Sequence, residues 1–205
     1  MNTQPTPAKR GPKPNVATRS NLLNAGVKML HEAGYSATGI QEIVNAAQVP
    51  KGSFYNHFAS KEVFGQEVVD YYFKSGLHTL REVLADPSVP PLVRLSNYFD
   101  QRIKLFTEAG FVRGCLMGNM SLEVADHSEA IRDTLAVNFT EWSKLFESCI
   151  AEAQASGAIT NPLPAAKLAQ FILNSWEGAL LRMRVEKDDK PLRDFCEIVF
   201  HTILV

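Results

Sequence analysis

The sequence contains few cysteines and no long apolar stretch. Its three cysteines, Cys115, Cys149 and Cys196, are odd in number and far apart, which argues against both a disulfide framework and a zinc site. No run of about 18 apolar residues occurs, which excludes a transmembrane helix. The first residues also lack the apolar core of a secretory signal peptide. We therefore expect a cytoplasmic protein without a membrane partner, a metal site or a cofactor.

Motifs of the common enzyme classes are also missing. The sequence has no phosphate-binding glycine loop, no histidine-containing catalytic triad and no cluster of metal ligands at the usual spacing. His127 and His201 are isolated in the sequence. We therefore expect no catalytic residues and a protein that is not an enzyme. The alternative is a helical enzyme that uses Cys115 as a nucleophile on a small electrophile.

Apolar residues at helical spacing dominate what is present. Hydrophobic residues make up 45% of the chain, enough for a substantial core, and no strand alternation competes with the helical pattern. We expect an all-α fold of about nine helices. The longer apolar stripes predict helices near 15–33, 61–85, 92–106, 126–157, 165–186 and 192–203.

Residues that favour helix starts mark several of these boundaries. Asn15 and Thr38 precede the first two apolar stripes and can bond free backbone N–H groups. Pro50 fits the first position of the next short helix. Asp126, followed three positions later by Glu129, is typical of a capping box at the start of a long helix.

The stretch from residue 34 to residue 62 predicts a helix-turn-helix. A short helix with an apolar face ends at Val49-Pro50, and the next short helix buries little besides Phe54. Around that phenylalanine stand the hydrogen-bonding side chains of Lys51, Ser53, Tyr55, Asn56 and His57. A helix rich in donors and poor in acids suits the major groove of DNA. The alternative is a solvated helix in an ordinary bundle.

Charge is distributed unevenly along the chain. Residues 1–60 hold six basic and two acidic residues, whereas the remainder holds 15 basic and 20 acidic residues. Residues 1–14 are proline-rich and predict a disordered basic arm, in which Lys9, Arg10 and Lys13 can lie along a minor groove. A solubilising tail is the alternative for this arm. A basic N-terminal part followed by an acidic remainder is typical of a protein that binds nucleic acid at one end.

The residues of the 34–62 stretch resemble the DNA-binding signature of TetR-family repressors. The matching positions are Gly34-Tyr35, Thr38-Gly39-Ile40, Ile43, Val49-Pro50-Lys51-Gly52-Ser53-Phe54-Tyr55, His57-Phe58 and Lys61-Glu62. Gly39 departs from the serine or threonine that is common in the family. We expect a helix-turn-helix DNA-binding domain of three helices at 15–60 and a ligand-binding and dimerisation domain at 61–205.

This part of the chain supplies the candidates for contact with double-stranded DNA. They are Thr38, Lys51, Gly52, Ser53, Tyr55, Asn56, His57 and Lys61. Lys51 can reach guanine or a phosphate, Asn56 can read an adenine edge, and Tyr55 and His57 can bond phosphates. By resemblance to the family, Gly52 allows the backbone to approach the DNA closely.

The last two helices predict a homodimer interface. The final helix has an apolar stripe, and the helix before it is apolar on several faces. Together they present more apolar surface than the core of a single small domain needs to bury. The resemblance also implies a dimer, formed through a four-helix bundle from both subunits. The alternative is that both stripes close the core of a single chain. The two helix-turn-helix domains of a homodimer would bind an inverted-repeat operator.

Large side chains on different predicted helices are expected to enclose a pocket for a small-molecule effector. The candidates are Tyr72, Phe99, Phe106, Met120, Trp142 and Trp176. An ordinary aromatic core is the alternative. Glu177 is a carboxylate in an otherwise apolar helix and therefore needs a partner or a role. It either meets a ligand or pairs with Arg182 or Arg184.

Cys115 is the candidate sensor within this ligand-binding set. It follows Arg113 and Gly114 at the expected start of a short helix, where positive charge and free N–H groups favour thiolate. The alternative is inert packing, which we expect for Cys149 and Cys196.

A second resemblance concerns the segment around Cys115 and one on a later helix. The residues are Arg113-Gly114-Cys115-Leu116-Met117-Gly118-Asn119 and Trp176-Glu177-Gly178-Ala179. They look like a TetR subgroup that responds to reactive electrophiles or acrylate-like compounds, including the N-ethylmaleimide-responsive repressors. The resemblance implies a repressor that a small, electrophilic effector releases from DNA, because binding of effector and binding of DNA are coupled.

Overall fold

The computed structural model describes residues 16–205, and all regular elements in this range are helical. They are α1 (Val16–Ala33), α2 (Ile40–Ala46), α3 (Lys51–Tyr55), α4 (Lys61–Ala85), α5 (Pro91–Glu108), α6 (Leu116–Val124), α7 (Glu129–Ala155), α8 (Ala165–Glu186) and α9 (Lys190–Ile198). The chain then makes one π-helical turn, Val199–Ile203. The predicted all-α fold is confirmed. The predicted basic arm, with Lys9, Arg10 and Lys13, and the predicted cap Asn15 lie outside the described residues.

The first three helices form a small head around an aromatic cluster. The rings of Phe54 and Phe58 lie 5.4 Å apart, and those of Phe58 and Phe64 lie 4.9 Å apart, between centroids. All three side chains are almost completely buried. α1 crosses α4 closely at Gly26, where a Cβ atom would lie 2.5 Å from the Phe64 ring. The cluster therefore joins α3 to the start of α4.

α4 runs from the head into the remaining helices, which we call the body. Ser60 caps its start, because the Ser60 hydroxyl accepts a hydrogen bond of 3.1 Å from the Val63 N–H. The helix packs on α1 near the head and on α5 and α7 in the body. Its bounds, Lys61–Ala85, agree with the apolar stripe in the sequence. One continuous helix thus belongs to both parts of the chain.

The core of the body is aromatic and is centred on Trp176 of α8. Its ring lies 4.9 Å from that of Phe99 on α5 and 5.2 Å from that of Phe195 on α9, between centroids. Buried Arg94 braces the turn between α4 and α5. Its guanidinium donates to the carbonyls of Leu84 and Val89 at 2.8 and 2.7 Å and pairs with Glu152 on α7. No helix within residues 16–205 is long and apolar enough to cross a membrane.

The predicted cap of α2 is wrong. Thr38 is buried, and its hydroxyl donates to the Gly34 carbonyl at 2.6 Å instead of accepting from the helix. Gly39 occupies the N-cap position, with no side-chain hydrogen bond. Pro50 likewise stands at the N-cap of α3 and not at its first helical position. Both helices are held by tertiary packing, which outweighs capping in such short segments.

The predicted capping box of α7 is also wrong. Ser128 is the N-cap, and its hydroxyl accepts from the Ile131 N–H at 3.2 Å. The same hydroxyl donates to the Glu62 carboxylate at 2.5 Å, which connects the start of α7 to α4. Asp126 is exposed and lies before the helix. Ser128 therefore occupies the N-cap, because its hydroxyl bonds both its own helix and the neighbouring α4.

Replacing Ser128 should therefore destabilise the protein. Ser128→Ala removes a cap and leaves the Glu62 carboxylate without a donor, so we expect a loss of about 1–2 kcal/mol in the free energy of unfolding. Asp126→Ala is the matched control and should change it by less than about 0.5 kcal/mol. Urea unfolding at one fixed protein concentration measures both. Equal losses in the two variants would contradict this assignment.

Candidate functional site

The outer face of α3 presents unpaired hydrogen-bonding groups. Lys51, Tyr55 and Asn56 are exposed, while Phe54 points into the head. Within residues 16–205, the Lys51 and Asn56 side chains make no hydrogen bond or ion pair. A Cβ atom on Gly52 would meet no atom within 4 Å, so the backbone here is open to an approaching partner. This face has the donors and the clearance that a DNA groove requires.

The other DNA-contact candidates of the head are less free. Ser53 and His57 are partly buried at the edge of the same face. The Lys61 ammonium lies 4.4 Å above the centroid of the Tyr35 ring, and its pKa is lowered by partial burial. The predicted DNA contact of Thr38 is wrong, because its side chain is only 1% exposed and its hydroxyl donates to the Gly34 carbonyl.

A cavity of about 330 Å³ opens in the body between α4, α5 and α7. Two predicted residues, Tyr72 and Trp142, line it. The sequence reasoning missed Tyr98 and Arg102 of α5 and Met117 of α6, which also line it. Arg102 stands four positions after Tyr98, and its guanidinium carbon lies 5.2 Å from the centroid of the Phe106 ring. A cation on an otherwise apolar helix face was the signal available in the sequence.

The other predicted pocket residues do not line this cavity. Phe99, Phe106, Met120 and Trp176 are each at most 7% exposed and pack in the body core. In this structure they belong to the aromatic core, and their contact with a ligand stays a prediction. Trp142 differs because it is only partly buried, and its indole Nε1 is enclosed without a hydrogen-bond partner.

Cys115 and Glu177 do not line the cavity, and their side chains approach each other at Gly118. Cys115 is the N-cap of α6 and is 5% exposed. A Cβ atom on Gly118 would lie 2.4 Å from Glu177 Oε2 and 3.8 Å from Cys115 Cβ. The carboxyl and thiol side chains thus approach the same glycine from α8 and α6, and each influences the pKa of the other. The missing side chain of Gly118 therefore gives the carboxyl access to the thiol.

The structure reverses the expected acidity of the thiol. Burial, and then the Glu177 charge, raise the pKa of Cys115 well above its usual value. The expected thiolate is therefore wrong for this state: Arg113 pairs with Glu32 at 2.8 Å, and burial outweighs the effect of the helix start. Cys149 is buried and its thiol donates to the Pro91 carbonyl at 3.0 Å.

Glu177 has neither of its expected arginine partners. Arg182 pairs with Glu186, and Arg184 donates to Asn119 Oδ1 at 2.6 Å. Burial raises the pKa of Glu177 to about 7, and the neighbouring thiol and the Arg102 charge act in the opposite direction. Glu177 Oε1 is enclosed without a hydrogen-bond partner.

α6 connects this thiol to the head. At its far end the Glu123 carboxylate accepts from the backbone N–H groups of Tyr35 and Ser36, at 2.8 and 2.6 Å. These donors belong to the turn between α1 and α2. The loop before Cys115 is tightly wound, with positive φ at Phe111 (58°) and Arg113 (73°), which residues with side chains seldom adopt.

A separate groove of about 540 Å³ lies between α8 and α9. Its apolar lining includes Phe171 and Ile198, which are 49% and 54% exposed. Gly178 and Ala179 form a shallow part of the same surface. This face has the exposed apolar side chains that a helical partner would bury.

Glu177 makes stability depend on pH. Its folded pKa of about 7 exceeds the ordinary 4.5, so the folded chain holds a proton that the unfolded chain releases between these pH values. The cost of burying the charge is absent below pH 4.5, grows as pH rises through this window, and reaches about 3 kcal/mol above it.

Glu177→Gln should therefore be more stable than the wild type at pH 8, by up to about 3 kcal/mol. At pH 5 the two should be nearly equal, because the wild-type carboxyl is then protonated. Urea unfolding at both pH values measures this, with the exposed Glu108→Gln as control. A Glu177→Gln difference that is the same at both pH values would contradict the burial of a titrating carboxyl.

Comparison with known protein families accounts for both parts of the chain. Residues 22–68 match the family described as bacterial regulatory proteins, tetR family. Residues 91–199 match the tetracyclin repressor-like C-terminal domain. The first match covers the α1–α3 head and the start of α4, and the second covers the body from α5 to α9.

Individual proteins agree with this result. The chain is 42% identical to the HTH-type transcriptional repressor DhaR of Mycobacterium sp. (strain GP1), over 91% of this chain and 92% of that protein. It is 34% identical to the transcriptional regulator AcuR of Cereibacter sphaeroides, over 91% and 85%. The crystal structure of Escherichia coli NemR in its reduced form superposes with a TM-score of 0.83 at 28% identity, over 90% and 96%. The chain thus belongs to the TetR family of DNA-binding transcriptional regulators.

Proposed function

We propose that this TetR-family protein is a repressor that binds an inverted-repeat operator as a homodimer and leaves it when a small electrophile binds. The observation that carries the proposal is the presence, in one chain, of a free donor face on α3 and a separate cavity in the body. The relatives DhaR and NemR, which are named as transcriptional repressors, support the direction of control. The protein would act in the cytoplasm, where the DNA is.

Operator contact is assigned to the open face of α3. Lys51 bonds guanine or phosphate, Asn56 reads a base edge, and Tyr55 and His57 bond phosphates. The clearance above Gly52 lets the helix backbone approach the DNA. The basic arm, with Lys9, Arg10 and Lys13, would add minor-groove contacts. These assignments rest on exposure and on side-chain chemistry.

Dimerisation is assigned to α8 and α9. The apolar groove between them would be covered by the same helices of a second copy, giving a two-fold interface. Phe171 and Ile198 would then be buried. Two heads held in this way can bind half-sites on successive major-groove faces, which makes the operator an inverted repeat.

Effector control is assigned to the cavity and to the Cys115 thiol behind it. The cavity of about 330 Å³ has the volume of a small-ligand site. A covalent or bound effector that moves the start of α6 would disturb the Glu123 bonds to the head at its other end. Effector binding and DNA binding must then weaken each other equally.

Lys51 and Gly52 provide a test of the DNA-binding face. Lys51→Ala removes a donor and Gly52→Ala places a methyl group in the open approach, so each should weaken binding to the upstream DNA of its own gene by about tenfold or more. Neither change touches the head core. Mobility-shift titration at fixed salt measures the affinity.

Lys104→Ala, an exposed lysine of the body, is the matched control and should bind as the wild type does. Sedimentation should show an unchanged dimer for all three variants. Wild-type affinity in both Lys51→Ala and Gly52→Ala would contradict the assignment of this face.

Cys115 provides a test of how an effector releases the protein from DNA. N-ethylmaleimide should release the wild-type protein from DNA, whereas Cys115→Ser should stay bound, because the serine hydroxyl is a far weaker nucleophile than the thiol. Cys149→Ser and Cys196→Ser are controls and should be released like the wild type. Equal release of Cys115→Ser and the wild type would remove the cysteine from the mechanism.

A further inference from the structure

We propose that Glu177 is the general base for the Cys115 thiol: it takes the thiol proton as sulfur attacks an electron-poor alkene and returns that proton to the adduct. The inference rests on the proposed role of Cys115 as sensor and names the group that makes it reactive. It also selects a reaction class, conjugate addition, for the effector.

The geometry brings base and nucleophile together beside one glycine. Cys115 on α6 and Glu177 on α8 come together at Gly118, whose absent Cβ leaves the space that Glu177 Oε2 occupies. The second carboxyl oxygen, Oε1, is enclosed and has no hydrogen-bond partner. A largely enclosed carboxyl that lies beside a thiol and has an unpartnered oxygen is placed to exchange a proton with it.

A base is needed because the thiol is not ionised in advance. Burial keeps its pKa high, so attack requires removal of the proton during bond formation. The sulfur stands at the N-terminus of α6, where the positive end of the helix dipole favours the negative charge that develops on it. Glu177 supplies the proton acceptor that this helix start lacks.

The groups around the pair cannot replace Glu177 as base. Tyr72 on α4 and Tyr98 on α5 face the pair and also line the cavity, and burial raises the pKa of both phenols. Burial raises the pKa of Glu177 to about 7, and the nearby Arg102 on α5 acts against that rise, so part of the carboxyl is ionised near neutral pH. Both phenols thus border the cavity on one side and lie near the thiol and carboxyl on the other.

The enclosure also selects the class of reaction. In conjugate addition the sulfur bonds to the β-carbon of an alkene conjugated to a carbonyl group, and the alkene electron pair moves to the α-carbon. Glu177 first holds the thiol proton and then delivers it to that carbon, so the carboxylate is regenerated and no group leaves. A substitution would instead leave an acid proton and a leaving anion in a site with no further base among the residues that face it.

The experiment measures the rate of Cys115 alkylation by N-ethylmaleimide on the full-length protein between pH 5.5 and 9. Peptide mass spectrometry reports the adduct at Cys115 separately from the other cysteines. The wild-type rate should rise with pH and level off around pH 7, where Glu177 titrates. In Glu177→Gln the rate at pH 7.5 should fall about 100-fold, and the inflection near pH 7 should disappear.

Two further variants separate base catalysis from a packing role. Glu177→Asp keeps a carboxylate at a longer reach and should restore part of the rate together with a pH inflection. Gly118→Ala keeps Glu177 but fills its space, and should lose the inflection as Glu177→Gln does. Circular dichroism and sedimentation establish that each variant is folded and has the wild-type assembly.

The outcomes show separately whether Glu177 acts as the base and whether Cys115 acts as the sensor. An unchanged rate and pH profile in Glu177→Gln would overturn the assignment of Glu177, even if the alkylated wild type leaves DNA. Release of Cys115→Ser by N-ethylmaleimide would overturn the sensor function, whatever the rates. Loss of the pH inflection in both Glu177→Gln and Gly118→Ala, with recovery in Glu177→Asp, supports the proposal.

Discussion

One carboxylate on α6 ties the DNA-reading head to the body. Glu123 accepts from the backbone N–H groups of Tyr35 and Ser36, which would otherwise lack partners at the turn before α2. Lys61 lies close by over the Tyr35 ring and lowers the pKa of Glu123, as do the two backbone bonds. Breaking these bonds would cost free energy, so in the proposed function they would couple the position of the head to that of α6.

The opposite end of the same helix carries the thiol. α6 has nine residues and is thus roughly 14 Å long, short enough to move as one rigid element. Cys115 caps its start and Glu123 lies near its end. α4 adds a second connection, since its first turns pack in the head and its later turns line the cavity. Chemistry in the body and the position of the head therefore share two helices.

The thiol site differs from an ordinary reactive cysteine. Such cysteines are exposed and have a lowered pKa, which makes them targets for many oxidants and electrophiles. Cys115 is buried and its pKa is raised, so it stays protonated until a base acts on it. Reactivity then depends on a ligand that reaches the thiol beside Glu177. In the proposed function, the same burial would favour a molecule that fits the cavity over other electrophiles.

The sequence by itself determined the helices and the head. Apolar spacing, prolines and positions such as Gly34 and Gly157 are local signals, and they predicted the bounds of α4 and α8 closely. The helix-turn-helix was readable because its motif lies within one continuous stretch.

Only the tertiary structure decided which side chains form the site. Trp142 and Trp176 look alike in the sequence, yet Trp142 borders the cavity and Trp176 fills the core. Glu177 proved to lie beside Cys115 at Gly118, while Arg182 and Arg184 bond other residues. The acidity of that thiol likewise follows from burial, which no neighbour in the sequence reveals. These properties arise where helices distant in the chain pack together, and local periodicity contains no information about them.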